Sequence, residues 1–160
     1  MQAIVEKPMH VPRGSLIASI TGFSLAGERL HISTDSTKVG TLLLGVSVNC
    51  AYCLSEIDPH RRLATAAASR GLDVYWIVRD PLDDSRNGPY DRSASPGVLL
   101  VDPVHSTYRD VGLALTPQIV VLDKTGVVDD SWRGVLGSAG EARMLEAIRH
   151  ISVPQNEPGQ

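Results

Sequence analysis

The chain has 160 residues, a formal net charge of −3 and an apolar content of 42%, values that are ordinary for one globular domain. The acidic balance and the lack of a basic stripe exclude a typical nucleic-acid-binding protein. No apolar run reaches the roughly 20 residues of a membrane-spanning helix, and the charged start of the chain does not resemble a signal peptide. We therefore expect membrane association only if an anchor belongs to the full-length protein.

Strands that alternate with helices predict one α/β domain. We place it at residues 16–152, between an N-terminal arm at 1–15 that need not be ordered and a C-terminal tail at 153–160. The first predicted elements are strands at 16–20 and 29–33 that form a hairpin, a strand at 42–48, a helix at about 51–70 and a strand at 72–78. After a loop at 80–97, the later ones are a strand at 98–101, a short helix within 102–112, a hairpin of strands at 118–122 and 127–132, and a helix at 139–151.

The two cysteines of the chain, Cys50 and Cys53, form a C-x-x-C motif between an apolar strand and a helix. The unpaired N–H groups at the start of a helix stabilise a thiolate and so lower the pKa of Cys50. Cys53 lies one turn deeper, where it can attack a mixed disulfide formed on Cys50. The spacing therefore predicts dithiol–disulfide chemistry.

Two other uses of the cysteine pair are less favoured. A zinc site needs two further ligands, but no second paired motif is present and the histidines are dispersed, at His10, His31, His60, His105 and His150. A purely structural disulfide would close too small a loop to constrain the unfolded chain. We expect neither a metal nor another cofactor.

The order of strand, C-x-x-C, long helix and strand, followed by Leu115–Gly126, resembles the thioredoxin superfamily. Thr116-Pro117 matches the Thr–cis-Pro element of that superfamily. The N-terminal hairpin and the short segment 98–111 make the chain most similar to bacterial TlpA/ResA-type proteins, which are related to the AhpC/TSA peroxiredoxins. The resemblance implies a thioredoxin-like fold, with a central mixed sheet flanked by helices and an N-terminal β-hairpin extension.

This resemblance implies a thiol-disulfide oxidoreductase whose partners are protein disulfides or dithiols and an upstream redox protein. Cys50 would attack and Cys53 would resolve, while Thr116 and Pro117 would bind an extended substrate segment. Glu56, three residues after Cys53, would relay its proton, although a glutamate on a helix is usually solvated. We expect a monomer in an extracytoplasmic compartment, the usual location of TlpA/ResA-type proteins, and leave the cytoplasm open.

Four positions differ from thioredoxin itself. Its two tryptophans correspond here to Asn49 and Val46, and its buried aspartate corresponds to Leu44. We therefore assign Asn49 and Tyr52 to a smaller and more polar substrate surface. The proline in the active-site helix of thioredoxin occurs one residue later in this chain, as Pro59. This shift predicts a different kink in the helix.

Two other functions stay open. A peroxiredoxin-like peroxidase is favoured by Ser47, which stands where that family has Thr or Ser. Leu43 and Pro117, however, replace the proline and the arginine that the family needs. A thioredoxin-fold binding module with an inactive dithiol is compatible with the unusual loop at 80–97.

That loop is rich in prolines and charges. Its aspartates, Asp80, Asp83 and Asp84, invite comparison with a calcium site but lack the spacing of a calcium loop. We therefore predict a solvated surface loop.

Overall fold

The computed structural model describes residues 11–86, 88–90, 96–102 and 115–152. Its strands are β1 (Ser19–Phe23), β2 (Arg29–Ser33), β3 (Gly40–Val46), β4 (Asp73–Val78), β5 (Val98–Val101), β6 (Gln118–Asp123) and β7 (Val128–Arg133). Its helices are α1 (Ala51–Ser55), α2 (Ile57–Ser69), α3 (Leu82–Arg86) and α4 (Gly137–Ser152). None of these helices is long and apolar enough to span a bilayer.

The described strands form one mixed sheet in the order β2-β1-β5-β4-β3-β6-β7, with β3, β4 and β5 mutually parallel. Every residue of the central strand β3 is buried, because cores cover both of its faces, and residues 42–46 are accordingly a continuous apolar run. Leu44 faces a core that contains Leu63 of α2 and Met144 of α4. Leu43 faces a second core that contains Val120. The expected α/β fold with a central mixed sheet is confirmed.

The predicted N-terminal hairpin is present as β1 and β2, and β1 joins the sheet where Phe23 pairs with Val101 of β5. Its first strand was expected at 16–20 but runs from Ser19 to Phe23. Gly22 therefore lies inside the strand and not in the turn, and a Cβ there would lie 3.0 Å from the Val101 carbonyl oxygen. A close approach of two backbones, and not a turn, requires this glycine.

The packed domain begins earlier than residue 16. Val11 is 3% exposed, and its carbonyl oxygen accepts a hydrogen bond from the Ser131 hydroxyl at 2.9 Å. The Gly14 N–H donates to the Val128 carbonyl oxygen at 2.9 Å. Residues 11–15 thus belong to the domain, which corrects the expected arm at 1–15. A single buried valine produces no apolar periodicity, so the burial of Val11 could not be predicted from the sequence.

Three further expectations concern residues that lie wholly or partly outside the described ranges. Residues 1–10 and the tail at 153–160 lie outside the described residues. The short helix expected within 102–112 also falls outside them, apart from Asp102. The loop at 80–97 is described at both ends, and it contains the single helical turn of α3.

The helix expected at 51–70 is interrupted at Glu56, which follows α1 and precedes α2. Pro59 explains the interruption, because a proline ring collides with the carbonyl group four residues earlier, here that of Ser55. The Glu56 N–H donates instead to the Cys53 carbonyl oxygen, three residues back, at 3.2 Å. The altered kink is therefore present as a break that leaves the dithiol on the short helix α1.

Candidate active site

Three segments of the chain meet at one edge of the sheet. Val46 at the end of β3 pairs in parallel register with Val78 at the end of β4, so both strands are followed by loops at the same edge. The antiparallel strand β6 begins at this edge, because Gln118 pairs with Gly45. The carboxyl ends of parallel strands are the usual location of sites in α/β folds. Cys50 follows β3 at this edge.

Cys50 caps the N-terminus of α1, and its sulfur accepts a hydrogen bond from the Cys53 N–H at 3.2 Å. Its thiol lies 3.6 Å from the Thr116 carbonyl oxygen, to which it donates. Burial acts to raise the pKa of Cys50, but hydrogen bonds with the thiol and N–H of Cys53 and with the side chain of Thr116 outweigh it. The pKa therefore lies below the ordinary 9.0. Cys50 is partly exposed, so it is both acidic and accessible.

Cys53 has the opposite character. It is fully buried in the core shared by α2 and α4. This burial, together with the hydrogen bond to Cys50, raises the pKa of Cys53 to about 12. Both cysteines are free thiols. An accessible, acidic thiol beside a buried, protonated one suits the pairing of a nucleophile with a resolving thiol.

The peptide bond between Thr116 and Pro117 is cis, as the sequence predicts. Pro117 is buried and Thr116 is half-buried. The Gly134 N–H donates to the Pro117 carbonyl oxygen at 2.9 Å, which ties this segment to the end of β7. The contact between Thr116 and Cys50 thus brings together two motifs that lie far apart in the sequence.

Glu56 is 7% exposed and lies at the break between α1 and α2. Its Oε2 atom has no hydrogen-bond partner among the described residues. A buried carboxyl oxygen without a partner is unfavourable, so this residue differs from the solvated glutamate of an ordinary helix surface. The break caused by Pro59 gives Glu56 this position, and its role in proton transfer stays a prediction.

Tyr52 and Asn49 were both expected at a substrate surface, but among the described residues only Asn49 has its side chain hydrogen-bonded to the rest of the protein. Tyr52 is 66% exposed and lies between the two cysteines in the sequence. Asn49 is also exposed, but its Nδ2 atom donates to the Asp80 carboxylate at 3.1 Å. Part of the hydrogen-bonding capacity of Asn49 is therefore used within the protein.

Sequence reasoning missed Asp80. This residue was expected in a solvated loop but is buried, and its carboxylate accepts hydrogen bonds from the three residues that follow β3. Asp83, on the same loop, has a side chain that is 88% exposed, as expected. The signal available in the sequence was the position of Asp80 just after the strand predicted at 72–78. That strand is parallel to β3 in the structure, and the carboxyl ends of neighbouring parallel strands lie together.

Buried polar side chains surround Trp76 of β4. Its ring lies 5.7 Å from that of Tyr90 and 6.4 Å from that of His60. Burial raises the pKa of Tyr90, and negative charge on Cys53 raises it further. Burial lowers the pKa of His60 to about 4, so this histidine is neutral at pH 7. In the described parts of the chain, no group of three or more histidine, cysteine or acidic residues could hold a metal ion.

Comparisons with known proteins provide relatives for the fold. No protein-family model matches the sequence, and no curated protein matches it either. A candidate thiol:disulfide interchange protein DsbE from Chlorobium tepidum has a TM-score of 0.72 at 17% identity, over 89% of this chain and 99% of that chain. A secreted disulfide oxidoreductase from Mycobacterium tuberculosis has a TM-score of 0.62 at 12% identity, over 82% and 95%. A peroxiredoxin-like protein from Aquifex aeolicus has a TM-score of 0.70 at 11% identity, over 89% and 88%.

The chain has a thioredoxin fold. In this thioredoxin fold the C-x-x-C motif follows β3, and the cis-proline precedes β6. Leu44 stands where thioredoxin has its buried aspartate, and its side chain lies in the apolar core. The buried carboxyl groups after β3 and β4 come from Glu56 and Asp80 instead.

Proposed function

We propose that this protein is a thiol-disulfide oxidoreductase that exchanges the Cys50–Cys53 dithiol with disulfides of protein substrates. The observation that carries the proposal is the contrast between the two thiols. Cys50 is partly exposed with a lowered pKa, whereas Cys53 is fully buried with a raised pKa. Solved thiol-disulfide exchange proteins with the same fold support this class of chemistry. We assign the chain to the TlpA/ResA type within that class.

The reaction starts when the Cys50 thiolate attacks one sulfur of a substrate disulfide. A mixed disulfide forms, the substrate S–S bond breaks, and the leaving sulfur takes up a proton. Cys53 then loses its proton and attacks the Cys50 sulfur, which releases the second substrate thiolate. The dithiol is thereby oxidised by two electrons and the substrate disulfide is reduced by two. The reduction potentials of the two partners decide whether this sequence or its reverse occurs.

The second step needs a base. Because the pKa of Cys53 is about 12, very little of its thiolate exists at neutral pH. Glu56 follows the same helical segment, is buried, and has an oxygen without a partner among the described residues. We assign to Glu56 the transfer of the Cys53 proton.

Substrate would bind along the segment that contacts the dithiol. Thr116, positioned by the adjoining Pro117, offers its backbone to an extended peptide, and the exposed ring of Tyr52 lies between the two cysteines in the sequence. Leu115, directly before Thr116, is 44% exposed and adds an apolar contact. Asn49 contributes at the polar side of the same surface.

The cellular setting follows from the chemistry and from the resemblance. An oxidised dithiol must be reduced again, which requires an upstream redox partner, and the reaction needs no cofactor. We place the protein in an extracytoplasmic compartment, as one solved relative of the fold is described as secreted. We propose that it acts as a monomer and does not bind nucleic acid, in keeping with its net charge of −3.

A peroxidase reaction is less favoured. Ser47 stands where peroxiredoxins have a Thr or Ser, but its hydroxyl proton is donated to Asp80 at 2.9 Å. The Ser47 hydroxyl proton is therefore not available for a hydrogen bond to a peroxide oxygen. The likeness to the Aquifex protein, at 11% identity, concerns the fold alone.

Reduction of insulin disulfides in the presence of dithiothreitol tests the proposal. We expect the wild-type protein to accelerate the reaction and Cys50→Ser to abolish the acceleration. In the absence of dithiothreitol, Cys53→Ser should accumulate mixed disulfides with insulin that are visible by non-reducing electrophoresis. Ser55→Ala is the matched control, because this exposed residue lies on the same helix and bonds only its own turn.

Two outcomes would contradict the proposal. If the wild-type protein neither reduces insulin nor oxidises a reduced peptide, the binding-module alternative is favoured. If it consumes peroxide rapidly and Cys53→Ser retains this turnover, the protein is a peroxidase that works through Cys50 alone.

A further inference from the structure

The segment that carries Cys50 into the active site lacks support from the sheet. β3 ends at Val46 and α1 begins at Ala51, so residues 47–50 belong to neither element. Within this stretch the Cys50 N–H donates to the Ser47 carbonyl oxygen at the long distance of 3.4 Å. Some other part of the molecule must therefore hold the backbone in place.

The Asp80 carboxylate supplies this support. Its Oδ2 atom accepts the Val48 N–H at 2.7 Å. Its Oδ1 atom accepts the Ser47 hydroxyl at 2.9 Å and the Asn49 side-chain amide at 3.1 Å. The Ser47 oxygen in turn accepts the Asn49 N–H at 3.2 Å. Three consecutive residues are thus bound to one buried carboxylate, which offers about four acceptor positions.

The loop around Asp80 is itself held in place. The Ser85 hydroxyl donates to the Asp80 carbonyl oxygen at 3.2 Å. Gly88 packs so closely on Val48 that a Cβ at this glycine would lie 2.5 Å from the Val48 Cγ1 atom. The loop after β4 therefore supports the segment before the dithiol both by hydrogen bonds and by packing.

We propose that Asp80 is the positioning residue of the dithiol, and that it orients Cys50 by fixing Ser47, Val48 and Asn49. Asp80 acts through these residues and does not itself react. The inference rests on the proposed function of the Cys50–Cys53 pair and adds a residue outside the motif. It accounts for the burial of an acidic side chain against the segment that directly precedes Cys50.

Asp80 could affect the Cys50 thiol by positioning it or through its own negative charge. These two effects would shift the pKa of Cys50 in opposite directions. Among the described residues, the ionisable groups near the Asp80 loop include the two cysteines, Tyr90, the exposed pair of Asp83 and Arg86, and the buried Asp102, whose N–H donates to the Val78 carbonyl oxygen. If Asp80 acted only as a negative charge, its removal would make the Cys50 thiolate easier to form. If it acts by positioning, its removal loosens the alignment of the Cys50 sulfur with the Cys53 N–H. The thiolate then becomes harder to form.

The variant Asp80→Asn separates these cases. An Asn side chain keeps the size but replaces one acceptor oxygen with an NH₂ group, so at least one of the donors loses its partner. We expect the pH midpoint of Cys50 alkylation by iodoacetamide to rise and the rate at about pH 7 to fall roughly threefold to tenfold. The reduction potential, measured against glutathione, should become more negative, because the reduced form loses stabilisation. Asp83→Asn, an exposed acid on the same loop, should leave both readouts unchanged.

An unchanged or lowered midpoint in folded Asp80→Asn, with a potential that is unchanged or less negative, would overturn the proposal. If Asp80→Asn does not fold, Ser47→Ala and Asn49→Ala each remove one bond to the carboxylate and serve in its place. Both should raise the midpoint, and their failure to do so would equally overturn it. Alkylation needs no protein substrate, so a wild-type protein that fails to reduce insulin contradicts the proposed function and not the positioning role.

Discussion

Cys53 donates its backbone N–H to the sulfur of Cys50 at 3.2 Å. The residue to which we assign the resolving step thus donates a hydrogen bond to the sulfur of the proposed nucleophile. Because this bond links the cap of α1 to its first turn, the acidity of Cys50 depends on how the segment before the helix is placed. The acidity of the Cys50 thiol therefore depends directly on the conformation of residues 47–50.

Cys50 should react with iodoacetamide as a thiolate over a pH range below that of an ordinary cysteine. Its pKa lies below 9.0, so the alkylation midpoint should fall under this value. Cys53, which is fully buried, should not be modified in the folded protein. Mass spectrometry after brief labelling across a pH series checks both statements, and modification of Cys53 first would contradict the assignment of roles.

The reduced protein should lose stability in alkaline solution because of Cys53. The folded state holds the Cys53 proton more tightly than the unfolded chain does, since burial raises its pKa from 9.0 to about 12. Unfolding therefore releases a proton above pH 9.0, and stability falls as the pH rises toward 12, by at most about 1.4 kcal/mol per pH unit. Urea unfolding of the reduced protein at about pH 8 and about pH 10 measures the loss.

Cys53→Ser is the control for this pH dependence, because it removes the buried thiol and keeps Tyr90, whose pKa burial also raises. The variant should lose less stability than the wild-type protein over the same pH interval. Equal losses in the two proteins would show that another group is responsible.

Glu56→Gln should slow the second chemical step. The amide cannot accept the Cys53 proton, so the mixed disulfide should resolve about tenfold more slowly, while its formation through Cys50 is unaffected. Stability should not decrease, because the variant removes a buried carboxyl group whose Oε2 has no partner among the described residues. Quenched-flow trapping of the mixed disulfide separates the two steps. Asp58→Asn, an exposed acid in the first turn of α2, is the control, and an equal effect there would rule out a specific role for Glu56.

Asp130→Asn should destabilise the protein without changing the dithiol. Arg143 of α4 binds both carboxylate oxygens of this residue of β7, at 2.7 and 2.9 Å. Because Arg143 is about half exposed, we expect a loss of only about 1 kcal/mol. Burial acts to raise the pKa of Asp130, but the hydrogen bonds with Arg143 outweigh it and hold the pKa below 3.8. The stabilisation by the Asp130–Arg143 pair is therefore present above pH 3.8 and is lost as the pH falls further.

Urea unfolding at neutral pH measures the effect of Asp130→Asn. The control is Glu146→Gln, which breaks the exposed pair with Arg149 on α4 and should change stability very little. A loss in Glu146→Gln as large as in Asp130→Asn would contradict the assigned importance of the link between β7 and α4.

The sequence by itself determined the features that depend on short-range spacing. The C-x-x-C pair, the Thr116-Pro117 element and the hairpin of β6 and β7 are each encoded within a few neighbouring residues. Their order along the chain was enough to predict the thioredoxin-like fold and the roles proposed for Cys50 and Cys53. The central strand β3 was also recognisable, because burial on both faces demands a continuous apolar run.

Only the tertiary structure decided the features that depend on register between distant segments. Asp80 looks like one of several loop acids until the pairing of Val46 with Val78 places it beside the segment before Cys50. Val11 likewise becomes part of the domain only because β7 lies against it. The physical reason is the same in both cases. The burial of a side chain is set by what packs against it, and those partners are far away in the sequence.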